Sequence, residues 1–389
     1  MRKSKNPGNI TVCQMLHSLN VGGAEILAMQ LGRNLSSPTR RFVYFCLDDE
    51  GVNAEKMREA GFIIEFLHRK PGYDKACVKR IAQLWRKYHV NVVQAHQCTP
   101  FFYALAARGF FHSKPPILLT EHGRFFPDVP NKKHRMFHRM MLSSRDRITA
   151  VSRSVGNALI VNEGLPENRI EIVYNGVSER FLEYRITDEQ KAAKRAELGV
   201  GNRPIVLCVA RLDPIKDHPT AIKTIHHLLL RPAFANLPLE KQPILLMAGG
   251  GPEYEGLHQY IIDCGMEDYA RLLGERSDIP ELLQTADVFL LTSVSEGVPL
   301  TILEAFASET PVVATKVGGI PEILQDEKTG LVAPVGNEKR LAFAVERLLT
   351  DLEFRRLVCR SAKESFLERF TEDRMLMEYA KILSEMLRY

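Results

Sequence analysis

The chain has 389 residues, beyond the size at which a single hydrophobic core usually splits, so two domains are expected. Charged residues at 25% and hydrophobic ones at 45% are the ordinary balance of a globular protein. No apolar run approaches the roughly 20 residues that would span a bilayer, and the amino end shows no charged-then-apolar leader. The seven cysteines are odd in number, scattered and without CxxC spacing. That pattern speaks against a disulfide framework or a zinc site and for a reducing cytosol. The net charge of +5 is uneven: residues 1–190 hold 28 Lys+Arg against 18 Asp+Glu, and the remainder 24 against 29. A basic amino half suits an anionic partner on that side, such as a phosphorylated acceptor or an anionic membrane surface; a solvated basic face is the plain alternative. No nucleic-acid partner is expected.

In chain order, β-prone apolar runs alternate with segments of helical spacing. ITVCQML (10–16) is followed by Gly22-Gly23 and a helix beginning near Ala24. Two glycines at such a junction let backbone approach a phosphate closely, although a tight turn needs no more. FVYFCL (42–47), FIIEFL (62–67), NVVQA (91–95) and PILLT (116–120) continue the series, with His96 and His122 just past the last two. Residues 132–147 carry six Lys/Arg and one Asp around Met136, Phe137, Met140 and Met141. This segment reads either as an interfacial amphipathic helix offering Lys132, Lys133, Arg135 and Arg139 to headgroups, or as a helix packed on its own domain. His134 and His138 have i,i+4 spacing without the Glu of HExxH, so no metal is assigned. ITAVS (148–152) and IEIVY (170–174) follow, then Asn175-Gly176, an ordinary turn signal. The charged stretch 176–203 reads as the interdomain connection.

A second series starts with PIVLCVA (204–210). Arg211 and Lys216 follow that strand, and two cations five apart there suit a diphosphate. Next come PILLMAG (243–249) with Gly249-Gly250-Gly251, ARLLG (270–274) with Glu275-Arg276, DVFLLT (287–292) and PVVAT (311–315). Between the last two lie Glu296, on the loop leaving the strand, and Glu304, about a turn and a half into the helix LTILEAFA. Pro299 is expected in that helix's first turn. Because Pro299 has no N–H, the amides of Val298 and Leu300 are the candidate phosphate donors. Helices near 338–350, 352–370 and 373–388 close the chain. Neither glycine cluster fits G-x-G-x-x-G, which disfavours a dinucleotide-dependent oxidoreductase. Paired carboxylates ordinarily suggest a glycosidase dyad, but the phosphate-binding features around them argue against plain hydrolysis.

Glu296 and Glu304, eight apart, resemble the Glu-x7-Glu motif of glycosyltransferase family 4, retaining enzymes of the GT-B fold that use nucleotide sugars. The resemblance extends, in the family's order, to VGGAE (21–25), TEHG (120–123), NGV (175–177), ARLDPIKD (210–217), AGGGPE (248–253) and VGGIPEI (317–323). It implies an α/β chain of two facing Rossmann-like domains with a cleft between them. The amino-terminal one, 1–185, is acceptor-binding; the second, 186–372, holds the nucleotide sugar, and the helix from about 373 returns to the first.

The resemblance also assigns roles. Arg211 and Lys216 clamp the diphosphate, Glu304 meets the ribose hydroxyls and Glu296 the donor sugar. His122 bonds a sugar hydroxyl or stabilises charge, Gly22 and Gly23 face the donor diphosphate, and His96 approaches the acceptor. Gly274, Glu275 and Arg276 belong to the loop that reads the base. Asp217 stands where the family usually has Gly. The implied activity is retaining transfer of a hexosyl or N-acetylhexosaminyl group from a UDP- or GDP-linked sugar to a saccharide or lipid-linked acceptor. No cofactor or metal is implied. The setting is polysaccharide or glycolipid biosynthesis, cytoplasmic or peripheral at the inner membrane face. A nucleotide-sugar epimerase and a non-catalytic sugar-binding relative are the alternatives.

Overall fold

The computed structural model describes residues 10–109, 115–124 and 128–387. Packing divides the chain into two units. One runs to Asn175 and resumes at Asp373; the other is Gly176–Glu372.

The first unit is built on a seven-stranded parallel sheet. Its strands are β1 (Ile10–Leu16), β2 (Arg40–Cys46), β3 (Ile63–Phe66), β4 (Val92–His96), β5 (Ile117–Glu121), β6 (Arg147–Ala150) and β7 (Ile170–Ile172), in the order β3-β2-β1-β4-β5-β6-β7. β1, β4 and β5 are buried along nearly their whole length, which is why they read as near-continuous apolar runs. One core joins Val12, Leu16, Tyr44, Val92 and Leu118 of the sheet to Met375, Leu376, Tyr379, Ile382, Leu383 and Met386 of the helix Glu372–Met386. Each such buried side chain stabilises the unit by about 1.5–3 kcal/mol, which anchors the terminal helix here.

The second unit holds six parallel strands: β8 (Ile205–Val209), β9 (Ile244–Ala248), β10 (Ala270–Gly274), β11 (Val288–Leu291), β12 (Val312–Thr315) and β13 (Leu331–Ala333). Their order is β10-β9-β8-β11-β12-β13. Both sheets are Rossmann-like. In each, the order reverses beside the first strand, between β1 and β4 and between β8 and β11. Crevices beyond the carboxyl ends of strands at such reversals are where α/β sheets bind ligands.

The structure differs from expectation in several places. The division falls at Asn175–Gly176, not at 185, because the following segment is fastened to the second unit. There Val177 N donates to Phe370 O at 3.0 Å, Glu372 N donates to Val177 O at 3.0 Å, and the Tyr184 hydroxyl donates to Glu281 at 2.6 Å. The supposed connection at 176–203 contains the helix Asp188–Glu197, opened by a reciprocal Thr187–Gln190 cap. Lys194 ties that helix to Asp278 at 2.8 Å. Pro299 precedes the helix Leu300–Ala307 with extended backbone (ψ 120°) and does not enter its first turn. The basic helix spans Lys132–Met141 only, since Leu142 turns extended and Arg147 already starts β6.

The apolar stripe of that helix also splits. Met136 and Met140 are 63% and 69% exposed, whereas Phe137 lies against the Phe102 ring, with centroids 4.6 Å apart. The residue the helix buries is His138, whose Nδ1–H donates to Glu163 O at 3.0 Å.

Candidate active site

The second unit gathers its chemistry on the loops leaving β8 and β11. After β8 the chain passes Arg211 and forms a short 3-10 turn, Pro214–Lys216. Asp217 follows in the left-handed region (φ 47°, ψ 51°), the conformation for which glycine is usual. Its carboxylate compensates locally: Oδ2 accepts from the Thr220 hydroxyl at 2.6 Å, and the residue caps the helix His218–Leu229. The Thr292 hydroxyl, one residue past β11, bonds the carbonyls of Lys216 and Asp217 at 3.1 and 2.9 Å. This joins the two loops. The glycine run after β9 completes the floor. A Cβ on Gly249 would stand 2.0 Å from the Ala210 carbonyl oxygen, and one on Gly251 2.4 Å from that of Leu212, so only glycine lets the loops run in contact.

The loop after β11 presents Glu296. Lys216 Nζ lies 2.6 Å from Glu296 Oε1, which also accepts from the Ser293 hydroxyl at 2.6 Å. The Glu296 carbonyl accepts from Gly319 N at 3.2 Å. Gly318 sits directly beneath it, with φ 51° and no room for a Cβ, which would fall 1.8 Å from that oxygen. The VGGIPEI segment therefore shapes the Glu296 loop. Arg211 is ion-paired with Asp213, yet its side chain stays 68% exposed. A cation held by one carboxylate and otherwise open to solvent is well placed to meet a phosphate.

Glu304 lies on the fifth position of the helix Leu300–Ala307. Burial pushes its carboxyl up to about 7, with the Arg180 charge opposing the shift. Leu300 opens that helix two residues after Val298, and Ile302 N in its first turn donates to Pro299 O at 3.3 Å. Glu275 lies over Gly250, where a Cβ would meet its Oε1 at 2.5 Å. Arg276 is engaged in structure, bonding Asp278 and Glu197 at 2.6 and 2.7 Å. Lys216, Glu296 and Ser293 are thus brought into direct contact, whereas Arg211 is paired with Asp213.

In the first unit Gly22 precedes the helix Gly23–Leu35, and no side chain caps it. A Cβ on Gly23 would meet nothing within 4 Å, so packing does not require glycine there. His122 and His96 stack with ring centroids 5.1 Å apart, Nε2 of the first lying 2.8 Å from Nδ1 of the second. Burial holds His122 at about 3 and His96 well below its ordinary value, so both are neutral imidazoles. His96 does not fit an acceptor-facing role. It is buried, and its other nitrogen contacts Gln14 Oε1 at 2.5 Å. Lys132, Lys133, Arg135 and Arg139 are all exposed.

Sequence reasoning missed a buried ionic cluster beside His122. Arg124 bonds Asp128 at 2.9 Å and Glu163 at 2.7 Å, and lies 3.5 Å from Glu121. Burial pushes Glu121 up to about 7 despite that guanidinium. The available signal was Glu121 itself, an acid ending an apolar strand. Among the described residues no helix is long and apolar enough to cross a membrane.

Comparison with known proteins agrees with this architecture. Residues 190–365 match the family model for glycosyl transferases group 1, and residues 21–181 that for glycosyltransferase family 4. The chain is 26% identical over 381 residues to the N-acetyl-alpha-D-glucosaminyl L-malate synthase of Bacillus anthracis, covering 95% of both chains. It is 30% identical over 282 residues to a GDP-mannose-dependent alpha-(1-6)-phosphatidylinositol monomannoside mannosyltransferase of Mycobacterium tuberculosis, covering 70% of each. Its fold is similar to that of a glycosyltransferase from Rickettsia africae (TM-score 0.83, 19% identity, 97% and 99% of the two chains). It also resembles that of Anabaena HepE, solved with UDP and glucose (TM-score 0.80, 21% identity, 97% and 100%). Two Rossmann-like units with this set of loops define a glycosyltransferase of the GT-B class. Within that class, the chain belongs to glycosyltransferase family 4.

Proposed function

We propose that this protein transfers a sugar, with retention at the anomeric carbon, from a nucleotide-diphosphate sugar to a saccharide or lipid-linked acceptor. The second unit binds the donor. The observation carrying this reading is the set of Arg211, Lys216, Glu296 and Glu304 on loops flanking the β8–β11 reversal, where an anionic ligand meets two cations and a helix amino end. A glycosidase dyad would not need the cations.

Each group has a task in this scheme. Arg211 and Lys216 neutralise the charge that grows on the nucleoside diphosphate as the sugar leaves. Lys216 begins paired with Glu296, so the diphosphate shares it, and Glu296 is released towards the sugar hydroxyls. Glu304 accepts ribose hydroxyls as a carboxylate. The donor phosphate takes the proton of the incoming acceptor hydroxyl, and no metal or cofactor enters the scheme.

The first unit binds the acceptor. Lys132, Lys133, Arg135 and Arg139, exposed around Met136 and Met140, support an attraction of this face to anionic lipid. A setting peripheral at the cytoplasmic face of a membrane would suit that attraction. The sugar is a hexosyl or N-acetylhexosaminyl group; the Bacillus anthracis relative is named for an N-acetylglucosaminyl product and the Mycobacterium tuberculosis relative for mannosyl transfer. Incubating the protein with UDP- and GDP-linked sugars and acceptor extract, and measuring nucleoside diphosphate release, tests the activity. Release that depends on both donor and extract is expected. Donor binding without release would leave only a sugar-nucleotide-binding protein.

A further inference from the structure

Three hydroxyl residues without exposed surface, Thr292, Ser293 and Thr315, stand behind the Lys216–Glu296 pair. All five belong to the second unit. A buried hydroxyl needs a partner, and each of these has one. Thr292 bonds the carbonyls of Lys216 and Asp217, on the loop after β8. Thr315, the last residue of β12, gives its proton to the Ser293 carbonyl at 2.5 Å. The same peptide unit donates through Val294 N to Ile215 O at 2.9 Å. The peptide that follows Ser293 is therefore held at both of its polar ends, one by β12 and one by the Lys216 loop.

A carboxylate oxygen accepts and does not donate, so the single proton of the Ser293 hydroxyl goes to Glu296 Oε1 at 2.6 Å. Lys216 Nζ reaches that same oxygen, also at 2.6 Å. Two donors thus converge on one oxygen of a side chain that is only 9% exposed. They differ in what they can do next. The ammonium ends a flexible four-carbon stem and carries three donors, so it can turn to a second anion. Ser293 rides on the clamped peptide and stays. Were Lys216 the sole donor, drawing it to a phosphate would strand a largely buried carboxylate oxygen, and ligand affinity would fall by the cost of that unmet group.

We propose that Ser293 is a positioning residue for sugar transfer: it holds Glu296 Oε1 while Lys216 exchanges that oxygen for the diphosphate of the donor. The exchange rests on the glycosyltransferase reading above; the shared hold on Glu296 does not. A serine that merely closes a turn onto the side chain three residues ahead makes the same bond, but ligand affinity does not then depend on it.

The test uses the full-length protein with Ser293→Ala, with Lys216→Met, which keeps the length of the stem, and with both. Urea melts read the shared hold without any ligand. Each single variant leaves Oε1 one donor and the double variant leaves it none, so the fall in unfolding midpoint of the double variant should exceed the sum of the two single falls. Additive falls would overturn the proposal. Titration calorimetry with UDP and GDP then reads the exchange. Ser293→Ala should weaken binding of the nucleoside diphosphate that the wild type takes by about tenfold. In the Lys216→Met background, where no exchange occurs, the same substitution should change affinity by less than about twofold. An equal loss in both backgrounds would mean only a loosened loop and would overturn the proposal. Ser293→Cys keeps a weak donor and should fall between wild type and Ser293→Ala; it serves for both comparisons where the Ala variant does not fold. If the wild type binds neither UDP nor GDP while the midpoints are non-additive, the glycosyltransferase reading fails, and the exchange with it, whereas the shared hold on Glu296 stands.

Discussion

Lys216 and Glu296 are 2.6 Å apart, so each offsets the other's charge. Arg211→Ala and Lys216→Ala are each expected to lower turnover by about a hundredfold or more, the scale for losing a preorganised charge stabiliser, with folding intact. Wild-type turnover in a well-folded double variant would remove the diphosphate clamp. Glu296→Gln should lower the rate with donor bound, whereas Glu304→Gln should weaken nucleotide binding. Glu304 adds a pH signature. Its folded carboxyl titrates near 7 against an ordinary value of 4.5. The folded state therefore holds more protons than the unfolded one between those values, and stability falls as pH rises from about 4.5 to 7. Glu304→Gln removes that loss, so the variant should melt higher than wild type at pH 8 but not at pH 4.5. Ribose hydroxyls favour the ionised carboxylate, so wild-type affinity for a nucleotide sugar should rise as pH passes upward through about 7. Scanning calorimetry at pH 4.5 and pH 8 reads the first effect, and titration calorimetry at pH 6 and pH 8 the second.

At the scale of elements, Asp217 shows how a departure from a family pattern is absorbed. Its left-handed backbone costs stability that its cap on the helix His218–Leu229 offsets. Asp217→Gly, which loses the cap but relieves the backbone, should stay within about 1 kcal/mol of wild type in urea melts. Asp217→Ala loses the cap and keeps the strain, and should cost about 1–2 kcal/mol. Equal stability of the two variants would mean that the left-handed backbone carries no strain, and an Asp217→Ala variant as stable as wild type would mean that the cap does not act. The helix Lys132–Met141 is the second such element. Replacing Lys132, Lys133, Arg135 and Arg139 with Gln should reduce binding to anionic liposomes and its salt sensitivity, since each nearby cation contributes about 1 kcal/mol. Donor affinity should not change. Wild-type protein that ignores anionic liposomes at low salt would favour an acceptor free in solution.

For the whole molecule, the two sheets were legible because doubly covered parallel strands read as apolar runs, and β1, β5 and β11 are such runs. β13, three residues after Gly330, is too short to show any period, and its pairing with β12 is a long-range fact. The residues proposed for the donor site stood out because their spacing is local: Arg211 and Lys216 share one loop, Glu296 and Glu304 one strand–helix junction. His96 was misread because its partner Gln14 lies 82 residues away, and nothing in NVVQAH says which way the ring points. The Lys216–Glu296 pair spans 80 residues and was equally hidden. The most direct measurement on the central claim is thermal melting of the wild type and Lys216→Ala with UDP- and GDP-linked sugars. A ligand at a hundred times its Kd that binds only the folded state stabilises it by about 2.7 kcal/mol. At least one nucleotide sugar should raise the wild-type Tm, by more than it raises that of the variant; no shift with any of them, or equal shifts in both proteins, would contradict a donor site built on Lys216.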